Sequence, residues 1–139
     1  MSKTHVMRVQ VGFGDCDPAG IVFYPNFSRW MDEASLAFFM ACGVPPWNEL
    51  IKTHGIVGTP VLEVHTKFYK PATFGQTIEV HTQVEEWAVK VFRHRHLIRR
   101  GADLLCEGTE VRVFVVRDPE HGGELKSIPV PEHIKIKCL

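Results

Sequence analysis

From residue 61 to residue 117 this chain alternates polar and apolar side chains through one segment after another, and a single earlier stretch has a helix's period. Alternation at every second residue gives a strand one covered face, so the pattern predicts antiparallel strands with a common buried side. We expect strands over residues 61–69, 77–90, 91–100 and 103–117. Ile78, Val80, Thr82 and Val84 fall out of phase with Glu79, His81, Gln83 and Glu85, and Val111, Val113 and Val115 alternate with Arg112, Phe114 and Val116. A fifth strand is expected over residues 5–13. Between the first strand and the others, Phe27, Trp30, Met31, Ala34, Phe38 and Ala41 recur at three- and four-residue steps. That spacing predicts a helix over residues 24–42. Pro25 is tolerated only in a first turn, and Gly43 suits a left-handed C-terminal cap. Residues 44–60, punctuated by Pro45-Pro46, read as an irregular connection, and the segment after Gly122-Gly123 as a short tail. The elements predict an α+β fold of two layers, with one helix against about five strands. At 139 residues the chain has the length of one domain, and we expect residues 1–139 to form it.

Charge and composition exclude several roles. The 16 basic residues balance the 16 acidic ones, leaving no overall field for a phosphate backbone or an anionic membrane surface, so no nucleic-acid partner is expected. No apolar run approaches the ~20 residues of a bilayer span, and residues 1–11 alternate instead of forming a signal-peptide core. We expect no membrane association and a cytoplasmic location. Cys16, Cys42, Cys106 and Cys138 lack any Cys-x-x-Cys spacing, so free thiols are expected and no zinc or redox motif. His94 and His96 share one face of a strand, but no third ligand stands at a suggestive spacing and arginines adjoin them. No metal and no cofactor are expected.

The chemistry concentrates in Gly14-Asp15-Cys16-Asp17-Pro18-Ala19-Gly20, directly ahead of the helix. A helix start carries unpaired N–H groups and partial positive charge, which at Phe23 and Tyr24 can stabilise an oxygen that becomes negative. A carboxylate beside such a site can attack a carbonyl or direct water at it. The loop therefore suits acyl transfer.

Asp15-Cys16-Asp17-Pro18-Ala19-Gly20-Ile21-Val22, Tyr24-Pro25-Asn26 and Arg29-Trp30 together resemble the signature of the hotdog-fold acyl-CoA thioesterases. The similarity continues through Cys42-Gly43, Pro45-Pro46-Trp47, Gly55-Ile56-Val57-Gly58-Thr59-Pro60 and Glu86-Trp87 in one register. It implies a curved antiparallel sheet wrapped around one long central helix, pairing of two subunits through their sheets with active sites at that interface, and commonly a tetramer. Asp17 would be nucleophile or general base, the Tyr24 backbone N–H would polarise the thioester carbonyl, and no prosthetic group would be used. Asp15 is left as a turn former. The run Phe23-Tyr24-Pro25-Asn26, without the histidine of a related branch, favours an aromatic acyl-CoA as substrate.

Around that centre, Asp32 lies about two turns beyond the helix start, roughly 12 Å, within reach of a ring hydroxyl or amino group. Trp47 is a candidate pocket wall and Thr59 a candidate holder of the attacking water. A basic cluster that meets the nucleotide phosphates in the family is reduced here to Lys90, flanked by Ala88 and Val89, with Arg93, Arg99 and Arg100 nearby. Glu33 is a rival acid on the helix. Alternatives are an aliphatic acyl-CoA thioesterase, a hydratase, or a non-catalytic module binding CoA esters or acyl carriers.

Overall fold

The structure, a computed structural model, describes residues 3–139; Met1 and Ser2, where the N-terminal alternation begins, lie outside the described residues. In chain order the elements are β1 (His5–Gln10), α1 (Pro25–Ala41), α2 (Trp47–Thr53), β2 (Ile56–Gly58), β3 (Val61–Phe68), β4 (Thr77–Trp87), β5 (Val91–Arg100), β6 (Asp103–Asp118), β7 (Glu124–Ile128) and α3 (Glu132–Lys137). All strand pairings are antiparallel. The path runs β1-β4-β5-β6-β2, and the long β6 also pairs β3 and β7.

The period-two residues of β4 and β5 do what their pattern demands. Ile78, Val80, Thr82 and Val84 are buried, as are Phe92, His94, His96 and Ile98 on the neighbouring strand. α1 lies on this face. Its Phe27, Trp30, Met31 and Ala34 pack with Ile78, Val80 and Ile98, and its Phe38 and Phe39 pack with Val84, Phe92 and Phe114. Each such side chain, fully buried, contributes about 1.5–3 kcal/mol of transfer free energy, so one helix face anchors the sheet. Close approach depends on Gly108 of β6, where a Cβ would stand 2.5 Å from the Met31 sulfur.

Several expectations are corrected. Among the described residues the sheet has seven strands instead of about five, and there are three α-helices instead of one. α2 and β2 occupy the stretch expected to be irregular; α2 follows Pro46 at its N-cap and is held by buried Leu50. Helices this short are not stable by propensity and exist through packing, which local sequence does not reveal. β1 also ends at Gln10, because the backbone turns through a short 3₁₀ segment at Phe13–Asp15. Finally, Arg112 and Phe114 of β6 are buried alongside Glu110, although arginine in an alternating strand reads as a solvent-facing residue.

Candidate functional site

The loop before α1 is folded back on itself. Cys16 and Val22 form an isolated antiparallel bridge, the Asp17 N–H donates to the Ile21 carbonyl (2.8 Å), and the Phe23 N–H donates to the Asp15 carbonyl (2.9 Å). Residues 15–17 therefore run beside residues 21–23, fixing Asp17 relative to the helix start. Gly20, at φ +83°, makes the reversal in a region that L side chains rarely adopt.

The two aspartates have different surroundings. Asp15 accepts the Gly12 N–H (2.8 Å) and an Arg29 guanidinium N–H (2.8 Å), while its carbonyl also accepts the Asn26 side-chain amide. Its carboxylate is consumed in holding the loop to α1. Asp17 uses one oxygen, accepting the Ala19 N–H at 2.9 Å, and the other has no donor among the described residues. The Tyr24 N–H likewise has no acceptor among the described residues, and Pro25 follows it at the first helical position. A half-engaged carboxylate and a free backbone donor thus belong to one rigid turn.

A second set of residues meets elsewhere. Asp32, Trp47 and Thr59 all line one cleft of ≈ 540 Å³, together with Glu33, Arg112 and Arg117. Asp17 and Tyr24 are not among its walls. Trp47 is set by a tilted contact with Phe39 (5.7 Å) and an edge-on contact with Phe114 (6.3 Å). Glu33 faces Arg29 at 3.6 Å one turn away on the helix. Lys90 stands on the exposed β4–β5 turn and forms no ion pair among the described residues, whereas Arg93 pairs with Glu86 and Arg100 with Asp103.

The sequence reading missed the polar row behind this cleft. His96 bonds Thr82 through Nδ1 (2.7 Å) and Glu110 through Nε2 (2.5 Å), and Arg112 donates to both Glu110 oxygens (3.3 and 2.8 Å). Burial would raise the Glu110 carboxyl, but hydrogen bonds and charge from His96 and Arg112 outweigh it and hold its pKa at about 2. Glu110 is therefore ionised. In-phase placement of Glu110 and Arg112 with buried Phe114 was the available signal, but only the register of β5 on β6, which sets His94 opposite Glu110 and brings the His96 ring within reach, completes it.

His94, His96 and Glu110 bring possible metal-ligand atoms within 4.8 Å of one another, supplying the third group that spacing did not. Arg112 already occupies the same carboxylate, and its positive charge opposes a cation there. His94 itself bonds Ser35 (2.8 Å) through Nδ1, and its Nε2 is buried without a partner. Burial, then the charge of His96, push its pKa well below the ordinary 6.5, against an opposing contribution from Glu110. The unfolded chain thus binds a proton that the native protein excludes, and stability falls as pH drops below 6.5 by up to ~1.4 kcal/mol per pH unit. His94→Gln is expected to remove this slope, measured as the urea midpoint at pH 7 and pH 5.

The layered antiparallel sheet, the helix seated on it and the loop ahead of that helix define the hotdog fold of thioesterases. A family model described as Thioesterase-like superfamily matches residues 11–137, and the chain belongs to that superfamily. Among individual relatives, the 4-hydroxybenzoyl-CoA thioesterase of Pseudomonas sp. (strain CBS-3) is 40% identical over 136 residues, 94% of each chain. A solved structure of that enzyme superposes with a TM-score of 0.91 at 38% identity, covering 99% of this chain and 100% of the other. A second structure, of an Asp-to-Asn mutant of 4-hydroxybenzoyl CoA thioesterase complexed with 4-hydroxybenzoyl CoA, also gives 0.91 at 38% identity, covering 98% and 99%. A gentisyl-coenzyme A thioesterase follows at 0.80 and 32% identity, covering 96% and 98%. No helix among the described residues is long and apolar enough to cross a membrane.

Proposed function

We propose that the protein hydrolyses an aromatic acyl-CoA to the free acid and CoA. One observation carries this reading: a carboxylate with a free oxygen and a backbone N–H without an acceptor are locked into the same turn at a helix start. Asp17 attacks the thioester carbon, or takes a proton from the water that does. The carbonyl oxygen becomes an oxyanion at the Tyr24 N–H, where the helix end favours negative charge. The C–S bond then breaks, and CoA leaves as the thiol once protonated; where Asp17 is the nucleophile, water then hydrolyses the acyl–Asp17 anhydride, releasing the acid and restoring the carboxylate. No step calls for a metal or prosthetic group.

The cleft supports an aromatic acyl group. Its volume is that of a small-molecule site, Trp47 gives it an aromatic wall, and Asp32 places a carboxylate opposite any polar ring substituent. An aliphatic chain would leave that carboxylate unmatched. The relatives named for 4-hydroxybenzoyl and gentisyl thioesters support the same class. Thr59, 7% exposed, borders the cleft as the candidate for holding water.

We further propose a homo-oligomer as the working form. β3 has the paired β6 on one side only and exposes Val61, Leu62, Val64 and Phe68. An edge of that kind is a template for pairing with a second copy. Such a dimer brings the Asp17 turn and an acyl cleft, separate within one chain, to a common interface. Residues 1–139 act in it as one domain. Lys90 meets a CoA phosphate; Lys90→Glu is expected to raise KM for CoA thioesters severalfold, more than it lowers kcat, with the difference shrinking at high salt.

The test is a panel of hydrolysis rates on benzoyl-, 4-hydroxybenzoyl-, 4-aminobenzoyl-, phenylacetyl- and hexanoyl-CoA, followed by CoA thiol release. The aroyl esters are expected to lead. Preference for hexanoyl-CoA would replace the aromatic reading by the aliphatic one, and no turnover of any ester would remove the hydrolase.

A further inference from the structure

We propose that Arg112 is a specificity-determining residue of the acyl cleft, forming with Asp32 a donor–acceptor pair that recognises a hydroxyl on the aromatic ring. The inference rests on reading this cleft as the acyl site.

Arg112 is a buried arginine, its side chain 5% exposed, that nonetheless lines the cleft. Four of its five N–H groups are placed. Nε and one Nη2 hydrogen go to Glu110, the second Nη2 hydrogen to Asp32 Oδ1 (2.9 Å), and one Nη1 hydrogen to the Thr59 carbonyl (2.7 Å). The remaining Nη1 hydrogen has no acceptor among the described residues. Asp32 mirrors this. Oδ1 accepts from Arg112, Oδ2 has no donor among the described residues, and the side chain is 73% exposed. One unmet donor and one unmet acceptor therefore flank the Arg112–Asp32 bond.

A phenolic hydroxyl matches both, since it donates one hydrogen and accepts through oxygen lone pairs. Its O–H donates to Asp32 Oδ2 while its oxygen accepts from Arg112 Nη1. An aromatic amine donates well, but its lone pair is delocalised into the ring, so it satisfies Asp32 and leaves Arg112 unmet. A ring carboxylate meets the charge of Asp32, and an unsubstituted ring meets neither group.

The arrangement is fixed before substrate arrives. Glu110 neutralises Arg112 from behind and is itself anchored by His96, which Thr82 holds in turn, so the guanidinium plane is set by groups outside the cleft. Asp32 is then a partner that Arg112 orients instead of one it needs for neutrality. A polar network completed in this way holds its members in one geometry.

The expected discrimination follows from leaving a charged hydrogen-bonding group unpaired, about 10- to 100-fold in kcat/KM for a partly exposed site. In the unaltered protein, 4-hydroxybenzoyl-CoA is expected to exceed 4-aminobenzoyl-CoA at least severalfold, and benzoyl-CoA by about 10-fold or more. Equal kcat/KM for the hydroxy and amino esters would overturn the proposal, and this measurement requires no variant to fold. Arg112→Lys, which keeps the charge and loses the fork, is expected to lower the ratio of kcat/KM between 4-hydroxybenzoyl-CoA and benzoyl-CoA at least tenfold, chiefly through KM. Asp32→Asn, at an exposed position, is expected to lower the same ratio, and adding Arg112→Lys to it to change the ratio less than twofold further. An unchanged ratio in Arg112→Lys, or equal losses on both esters, would mean that Arg112 serves the fold alone. Absence of aroyl-CoA hydrolysis in the unaltered protein would instead remove the functional reading itself.

Discussion

Asp17→Asn is expected to bind an aroyl-CoA almost as tightly as the unaltered protein and to lose kcat by about 10²-fold or more. The amide oxygen can still accept the Ala19 N–H that Asp17 Oδ1 holds at 2.9 Å, so the turn and the Tyr24 N–H beside it stay in place. What disappears is the negative charge, and with it both the capacity to attack the thioester carbon and the capacity to take a proton from water. Titration calorimetry gives the affinity, and thiol release gives the rate. Near-full turnover would move the chemistry away from Asp17. A single turnover in ¹⁸O-water, repeated with hydroxylamine as a trap, then separates the two roles: label in the Asp17 carboxylate or a trapped acyl–Asp17 adduct marks nucleophilic attack, and label confined to the released acid with no trapped adduct marks a general base. Asp15→Asn serves as a contrast, because Asp15 spends both oxygens on Gly12 and Arg29. Its loss is expected in loop stability, measured by local hydrogen exchange.

The second large effect lies in the core. Glu110→Ala is expected to destabilise the protein by about 3–5 kcal/mol, because it removes the buried counter-ion of the Arg112 guanidinium, leaving only the exposed Asp32, and strips His96 Nε2 of its partner. The carboxyl also carries a pH signature. Its folded pKa of about 2 lies below the ordinary 4.5, so the contribution is complete above pH 4.5 and is lost as pH falls through about 2. The shift corresponds to about 3 kcal/mol. Urea midpoints of the unaltered protein are therefore expected to decline across that acid window, beyond the slope due to His94, and those of Glu110→Ala to decline less. Parallel declines would place the acid sensitivity elsewhere.

The strands are legible because a half-buried strand writes its environment into every second residue. Thr77 to Trp87 and Val91 to Arg100 could be drawn from that alternation, and α1 from its three- and four-residue steps closed by Pro25 and Gly43. α2, β2 and β7 escaped for the opposite reason. Trp47 to Thr53 spans too few residues to carry a period, Ile56 to Gly58 is shorter still, and β7 is exposed over most of its length. They form because Leu50 and Ile56 find a core and because β6 continues past β5, leaving edges for β2 and β7 to join.

The sequence by itself determined the alternation, the helix and the acidic loop ahead of it, because these depend on neighbours within a few residues. Only the tertiary structure decided that Asp32, Trp47 and Thr59 border one cleft, and that Glu110 and Arg112 turn inward behind it. Burying an arginine is costly unless its charge and hydrogen bonds are met. The groups that meet them here, Glu110 from the same strand, the Thr59 carbonyl and Asp32 from α1, come together only through strand register and helix packing.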